Sequence, residues 1–327
     1  MTAERAARLI VIGLTLGLPL AALMARWIGT DGVEIHGRMA ETGGWTPGAL
    51  TAKVGEPLHL QLTSDDVQHG FAIGQMDWPA VEVKPGEMTQ TTLIFDRPGK
   101  YVFYCTRWCG LNHWRMRGTI EVTGATDEPV AEPPPLYVTL GIDLDAPHPA
   151  DAIPAARPSA ARGANSAALL PPSYLVADYY RARSPAQVWL AIRAEPFARD
   201  LSDEQVWDVV AYVWRSNATA ASLEQGANLY ALNCAACHGE SGRGDGVMAA
   251  SLAREPTAEI GHGKRSPVDF TDPMTMLGAS PALLQGKIIR GGMGTGMPYW
   301  GPIFTEAQTW AVVNYLWTFQ FEMEEQP

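Results

Sequence analysis

The stretch Tyr104–Met116, YCTRWCGLNHWRM, decides how the rest of the chain is read. It holds Cys105, Cys109, His113 and Met116, all soft or borderline metal ligands, and His69 stands upstream in SDDVQHGF. Thiolate with imidazole and a long thioether bond is the ligand set of copper electron-transfer centres in small β-sandwiches. Such a set needs one histidine on a neighbouring strand and the remainder on one loop, and these residues meet that pattern. One thiolate holds a single copper, whereas two at i and i+4 can bridge a pair. A metal pair in a rigid cage changes shape little on reduction, as an electron relay requires. Structural zinc on two cysteines and two histidines is a competing reading, and a metal-free buried thiol pair is another.

The residues around this loop alternate. From Gly32 to Gly124 the segments VEIHGRM, ALTAKV, PLHLQLTS, AVEVKPGE, TQTTLIF, KYVFYC and MRGTIEVTG are separated by the turns VGEP, KPGE and RPGK. Outward polar and inward apolar positions at a period of two indicate half-buried strands. Several of them at close spacing predict an antiparallel β-sandwich or barrel. Pro98-Gly99 turns the chain into the strand that delivers Cys105.

The other two cysteines form Cys234-Ala-Ala-Cys237-His238, the spacing of covalent c-type haem attachment with His238 as proximal ligand. A redox-active or zinc-binding C-x-x-C is the alternative. A methionine is expected as the sixth ligand, with Met297 in GTGMPYW as the candidate and Met293, Met274 and Met276 as competitors. All four cysteines are thereby used, so none is left for a disulfide.

The C-terminal half has a helical pattern. Ser202-Asp-Glu-Gln205 opens VWDVVAYVWRS, Thr305-Glu-Ala-Gln308 opens TWAVVNYLWTF, and Ser222-Leu-Glu-Gln225 precedes the Cys234 motif. All three read as capping boxes. The first two segments share Gln, Trp, Val-Val, Tyr and Trp in register. Upstream, Ser184-Pro-Ala with Ile192-Arg193 echoes Ser280-Pro-Ala with Ile289-Arg290. This is an internal repeat. The earlier copy, 170–217, has neither haem motif nor methionine, and is expected to be a haem-less module packed beside the complete one; convergent amphipathic helices are the simpler reading. Trp189, Trp207 and Trp214 are expected in its core, and His36, His59, His148 and His262 at the surface or in the core. Residues 125–169 read as a Pro/Ala-rich linker, with LYVTLGIDL, Leu136–Leu144, as one strand inside it.

With 327 residues, Gly 32, Pro 25 and 46% hydrophobic residues, the chain suggests two or three domains with long loops, not a disordered chain. A net charge of −11 with no basic run excludes a nucleic-acid partner. The acidic residues are spread out, which suits solubility or a docking face for a basic partner. Near the N-terminus, Arg5 and Arg8 precede the uncharged run Leu9–Ala25, then Arg26-Trp27. The run is near the short limit for a membrane span, and Arg26 can snorkel while Trp27 suits the interface. A retained anchor is expected, with a cleaved signal as the alternative. Either way, the residues after 30 are exported.

Residues from about Trp45 to Val122 resemble the CuA domain of haem–copper oxidase subunit II, whose cupredoxin fold is shared with nitrous oxide reductase. The matching elements are TSDDVQHGF, VEVKPGE, FDRPGKY and C-x-x-x-C-G-x-x-H-x-x-M followed by GTIEV. The resemblance implies a binuclear copper CuA held by His69, Cys105, Cys109, His113 and Met116, with the backbone carbonyl of Arg107 as sixth ligand. Many family members have glutamate at the position of Arg107, where its side chain helps bind magnesium or manganese; arginine cannot. Residues 222–321 resemble a class I cytochrome c in GANLYALNCAACHGESGRGDG, the Met297-Pro298 pair and the Trp310-to-Trp317 helix. That implies covalent haem c held by Cys234, Cys237, His238 and Met297.

The expected architecture is multidomain: an N-terminal transmembrane helix in 1–30, an all-β cupredoxin sandwich in 31–124, the linker, the degenerate segment, and an all-α cytochrome c domain. The resemblance implies a cytochrome c oxidase subunit II of the single-anchor type. It would sit in the inner membrane with both centres on the periplasmic side. Its partners would be the lipid membrane, a donor such as a cytochrome c, and subunit I, where oxygen is reduced. No catalytic residue is assigned to this chain. A haem–copper nitric oxide reductase subunit and a free-standing periplasmic shuttle are the alternatives.

Overall fold

The computed structural model describes residue 15 and residues 32–76, 78–110, 112–124, 133–252, 266–292 and 296–323. The anchor read in Leu9–Ala25, apart from Thr15, lies outside the described residues, as do His262 and Met293. Among the described residues, no helix is long and apolar enough to cross a membrane.

The N-terminal body is a two-sheet sandwich. Its strands are β1 Val33–Gly37, β2 Trp45–Thr46, β3 Ala49–Lys53, β4 Leu58–Ser64, β5 His69–Ile73, β6 Val81–Val83, β7 Thr89–Leu93, β8 Gly99–Cys105 and β9 Arg117–Thr123. One sheet runs β2-β1-β4-β7 and the other β3-β9-β8-β5-β6. The β1/β4 and β3/β9 pairs are parallel, so the sandwich is mixed where the turn spacing predicts an antiparallel one. Leu60 and Leu62 alternate inward on β4 and join Ile35, Phe71, Phe103 and Ile120 in one core. Strand β5 escaped the alternation test because all five of its residues are buried. The Phe103 ring lies over Gly118 on the neighbouring strand, where a Cβ would stand 2.1 Å from it.

The helical body contains α1 Leu136–Thr139, α2 Ala160–Ala167, α3 Ala177–Ala182, α4 Pro185–Arg193, α5 Asp203–Ser216, α6 Ala220–Asn233 and α7 Ala235–His238. Next come α8 Ala249–Leu252, α9 Pro273–Met276, α10 Pro281–Arg290 and α11 Glu306–Leu316. Ser202 and Thr305 form the capping boxes that the sequence predicts, and Ser184 forms a third. The expected box at Ser222 is corrected. Thr219 is the cap, and its hydroxyl accepts from the Ser222 N–H, so α6 begins earlier. LYVTLGIDL is also corrected, because its first residues form the short helix α1 after Pro135. Proline cannot donate to a ladder, and α1 instead lays Tyr137 against Gly286 of α10.

From residue 133 onward, the stretch expected as a linker is packed. Leu144, Ala150 and Ala160 are buried in the same core as Trp207, Trp214, Trp317 and Phe304. A Cβ on Gly163 of α2 would stand 2.0 Å from the Asp208 carbonyl of α5, a close approach that requires glycine. Trp214 meets Trp317 edge-on at 5.6 Å, so residues at matching places in the internal repeat face each other.

Candidate metal and haem centres

The metal pocket sits where β5, β8 and the loop after β8 converge. Register pairs Phe71 with Cys105. His69 is two residues from Phe71 on the same strand face, within diagonal reach of Cys105. The loop then turns back at Gly110, φ 139°, and Asn112, φ 52°, into a helical turn at His113–Arg115. Cys105 N–H donates to the Met116 carbonyl and closes the loop.

Five side chains expected as ligands come together here. Cys105 Sγ and Cys109 Sγ are 3.9 Å apart. Around Cys105 lie His69 Nδ1 at 3.9 Å and the Arg107 carbonyl oxygen at 3.2 Å. Around Cys109 lie His113 Nδ1 at 3.9 Å and Met116 Sδ at 3.8 Å. His69, Cys105, Cys109, His113 and Met116 are all buried. Each sulfur thus has the other sulfur, one imidazole and one weak donor as neighbours.

Hydrogen bonding to Cys109, with help from His113 and His69, pulls the Cys105 thiol far below its ordinary value. The same bond and burial push Cys109 up. A second thiolate in this dry pocket needs positive charge beside it, which metal cations supply. The donor set fits a soft metal.

Two residues that shape the pocket, Asp66 and Gly37, are not singled out by the sequence reading. Asp66 Oδ1 lies 2.8 Å from His69 Nε2, and the Met39 N–H donates to Asp66 Oδ2 at 2.7 Å. This carboxylate turns His69 Nδ1 toward the sulfurs. An acid three residues before a candidate histidine was the available clue. Gly37 of β1 is a close-approach glycine: a Cβ there would stand 2.8 Å from Trp45, 3.0 Å from His69 and 3.3 Å from Met116. The Arg107 side chain leaves the pocket and pairs with Glu82, Nε to Oε1 at 2.7 Å.

The second centre is a cavity of about 270 Å³ lined by Cys234, Cys237, His238, Met297, Pro298 and Trp300, among others. His238 and the expected axial Met297 thus share one cavity. His238 Nδ1 is 3.2 Å from the Val268 carbonyl, and the ring stacks on Phe270 at 4.6 Å. An Nδ1–H donated to that carbonyl leaves Nε2 as the free ligand atom. Burial pushes the Cys234 thiol up to about 12 and also raises Cys237. A redox-active C-x-x-C has a depressed thiol, and this pair is shifted the other way. Met274 is exposed, and Met276 is buried in the core on α9.

A cupredoxin-like sandwich with a paired-cysteine pocket that could hold metal, followed by a C-x-x-C-H helical domain, defines a class of two-site chain. Residues 48–123 match the family described as cytochrome c oxidase subunit II, periplasmic domain, and residues 223–320 match cytochrome c. The chain carries a subunit II periplasmic domain fused to a cytochrome c domain. These matches imply copper in the first domain and haem in the second.

Two similar relatives are cytochrome c oxidase subunit 2 proteins of Thermus thermophilus. Each is 39% identical over 79 residues, 24% of this chain, covering 58% of one relative and 46% of the other. The chain therefore spans about half the length of the curated relatives it matches. Among solved structures, the periplasmic domain of subunit II of cytochrome oxidase from Bradyrhizobium japonicum is similar at 18% identity. That match covers 29% of this chain and 84% of that one, with a TM-score of 0.25.

Proposed function

We propose that this chain is the electron-transfer subunit II of a terminal haem–copper oxidase. The observation that carries the reading is the paired-sulfur pocket, in which Cys105 and Cys109 each have an imidazole and a weak donor as neighbours. On this reading His69, Cys105, Cys109, His113, Met116 and the Arg107 carbonyl hold a binuclear CuA. Cys234 and Cys237 would hold a haem c covalently, and His238 and Met297, which share its cavity, would be its iron ligands. The two groups would supply one-electron redox chemistry, by which this chain would relay electrons from a donor such as a cytochrome c to subunit I, where oxygen is reduced.

The same reading places the chain in the inner membrane through Leu9–Ala25, with both centres on the periplasmic side. Residues 170–217 are a degenerate cytochrome c half that has lost its haem. Arg107, occupied by Glu82, contributes no side chain to a magnesium or manganese site. Membrane fractionation followed by affinity purification tests the assignment. Co-purification of a haem–copper subunit I with oxygen-reducing activity is expected, and a soluble chain recovered without one rejects it.

A further inference from the structure

Sandwich and helical body touch through Val102 and Tyr104 of β8, which pack against the helical core, and through two hydrogen-bonded contacts. The first is the turn after β5. Gln75, in the left-handed region at φ 62°, donates its N–H to the Ile303 carbonyl at 2.9 Å. Its side-chain amide donates to the carbonyls of Gly301 and Phe304. A Cβ on Gly74 would stand 2.2 Å from the Pro302 carbonyl, so this approach requires glycine.

The second point is Arg117, the first residue of β9 and the one after Met116. Its Nη1 donates to the Tyr299 carbonyl at 3.0 Å. Its guanidinium carbon lies 5.3 Å from the Tyr299 ring centre and 5.2 Å from that of Trp300, within cation–π range. Nη2 is buried and has no hydrogen-bond partner among the described residues. Burying a guanidinium without a carboxylate is expensive, so solubility alone does not account for an arginine at this position.

What stands on either side of Arg117 explains it. Met116 closes the paired-sulfur pocket, 3.8 Å from Cys109 Sγ. Met297, Pro298 and Trp300 line the haem cavity. We infer that Arg117 is the positioning residue that couples the two centres. It clamps the 299–304 loop onto the copper domain and supplies the one hydrogen bond in a route from Met297 through Pro298 and Tyr299 to Arg117 and Met116. The rest of that route is covalent. One electron leaves the haem side, which is oxidised, and arrives on the copper side, which is reduced; no bond forms or breaks and no proton moves. This inference rests on the proposed direction of transfer, but the clamp can be measured without it.

The test uses the full chain carrying both cofactors, as wild type and as Arg117→Met, Arg117→Lys and Gln75→Ala. Two quantities are read: amide hydrogen exchange of residues 299–304, and the rate at which electrons leave photoreduced haem and appear on copper. Loss of a hydrogen bond from a charged donor should raise opening of the loop about tenfold in Arg117→Met. The transfer rate should fall in the same variant, with both absorption spectra retained. Arg117→Lys keeps the charge but lacks the planar fork, and should fall between the two. If Arg117→Met does not fold, this variant carries the test. Gln75→Ala should loosen the loop while slowing transfer less, because the Arg117 hydrogen bond survives. Wild-type transfer rates in both Arg117 variants would overturn the inference, and so would equal slowing in Gln75→Ala and Arg117→Met. A wild-type chain with no transfer between its centres would instead overturn the proposed function, while the exchange measurement still reports on the clamp.

Discussion

The Tyr180 hydroxyl donates a buried hydrogen bond of 2.9 Å to Asn314 Oδ1, tying α3 to α11. Tyr180 also packs edge-on against Trp214 at 5.3 Å, and Trp214 meets Trp317. The two halves share one core. Tyr180→Phe leaves Asn314 Oδ1 without this donor and should cost about 1–3 kcal/mol. Thermal melts followed by helical signal and by haem absorbance should coincide in wild type and shift down together in the variant. Separate transitions would show that the halves unfold independently.

Asp66 holds His69 from behind. Asp66→Ala frees the ring to rotate and should weaken copper binding about 10–100-fold, read by competition with a copper chelator. Gly37→Val, which pushes a side chain against both His69 and Met116, should have the larger effect on the copper absorption spectrum.

Cys109 distinguishes a bridged pair from a single ion. Cys109→Ser should reduce bound copper from a pair per chain to one ion or none, with loss of mixed-valence absorption. A serine variant that still holds a pair would reject thiolate bridging.

Met297 shares its cavity with His238. Met297→Ala should abolish the methionine-to-iron charge-transfer band while covalent haem persists. Retention of the band would move the sixth ligand to Met293.

His36 gives a pH signature outside both centres. Its Nδ1 lies 2.8 Å from Asp65 Oδ1, and that hydrogen bond, helped by Glu34, raises its pKa above 6.5. The folded state therefore binds this proton more tightly than the unfolded state. The stabilisation is complete below pH 6.5 and is lost as pH rises through the raised value. Asp65 is lowered by the same bond, so its share fades as pH falls through its own depressed value. His36→Gln should flatten the decline in copper-domain stability above pH 6.5 in denaturant titrations. The effect should be small because the side chain is 37% exposed.

Much of this molecule was legible because its signals are local. Alternation in LHLQLTS shows a strand with one wet face, and the two Cys motifs place their chemistry within a few residues. The repeat announced itself through Trp207 and Trp214 against Trp310 and Trp317. Burial on both faces hid β5, since period two vanishes when neither side meets water. The start of α6 was misread because Thr219 and Ser222 are equally good caps, and tertiary packing chose between them. The packing of 133–169 was hidden by its alanines and glycines, whose role at Gly163 is to permit contact with Asp208 rather than to fill space. Arg117 and Gln75 had no sequence signal, because their partners lie in the distant 299–304 segment.

The Trp214–Trp317 contact has a consequence for protein engineering. A designer who wished to graft the haem module onto another host would naturally cut just before residue 222, where the recognisable motif begins. That cut would lay bare one side of a buried indole and the pocket where Tyr180 meets Asn314. The transplantable cassette is longer than its cofactor motif suggests: it starts near Leu136, and the seemingly dispensable residues before the haem are its scaffold.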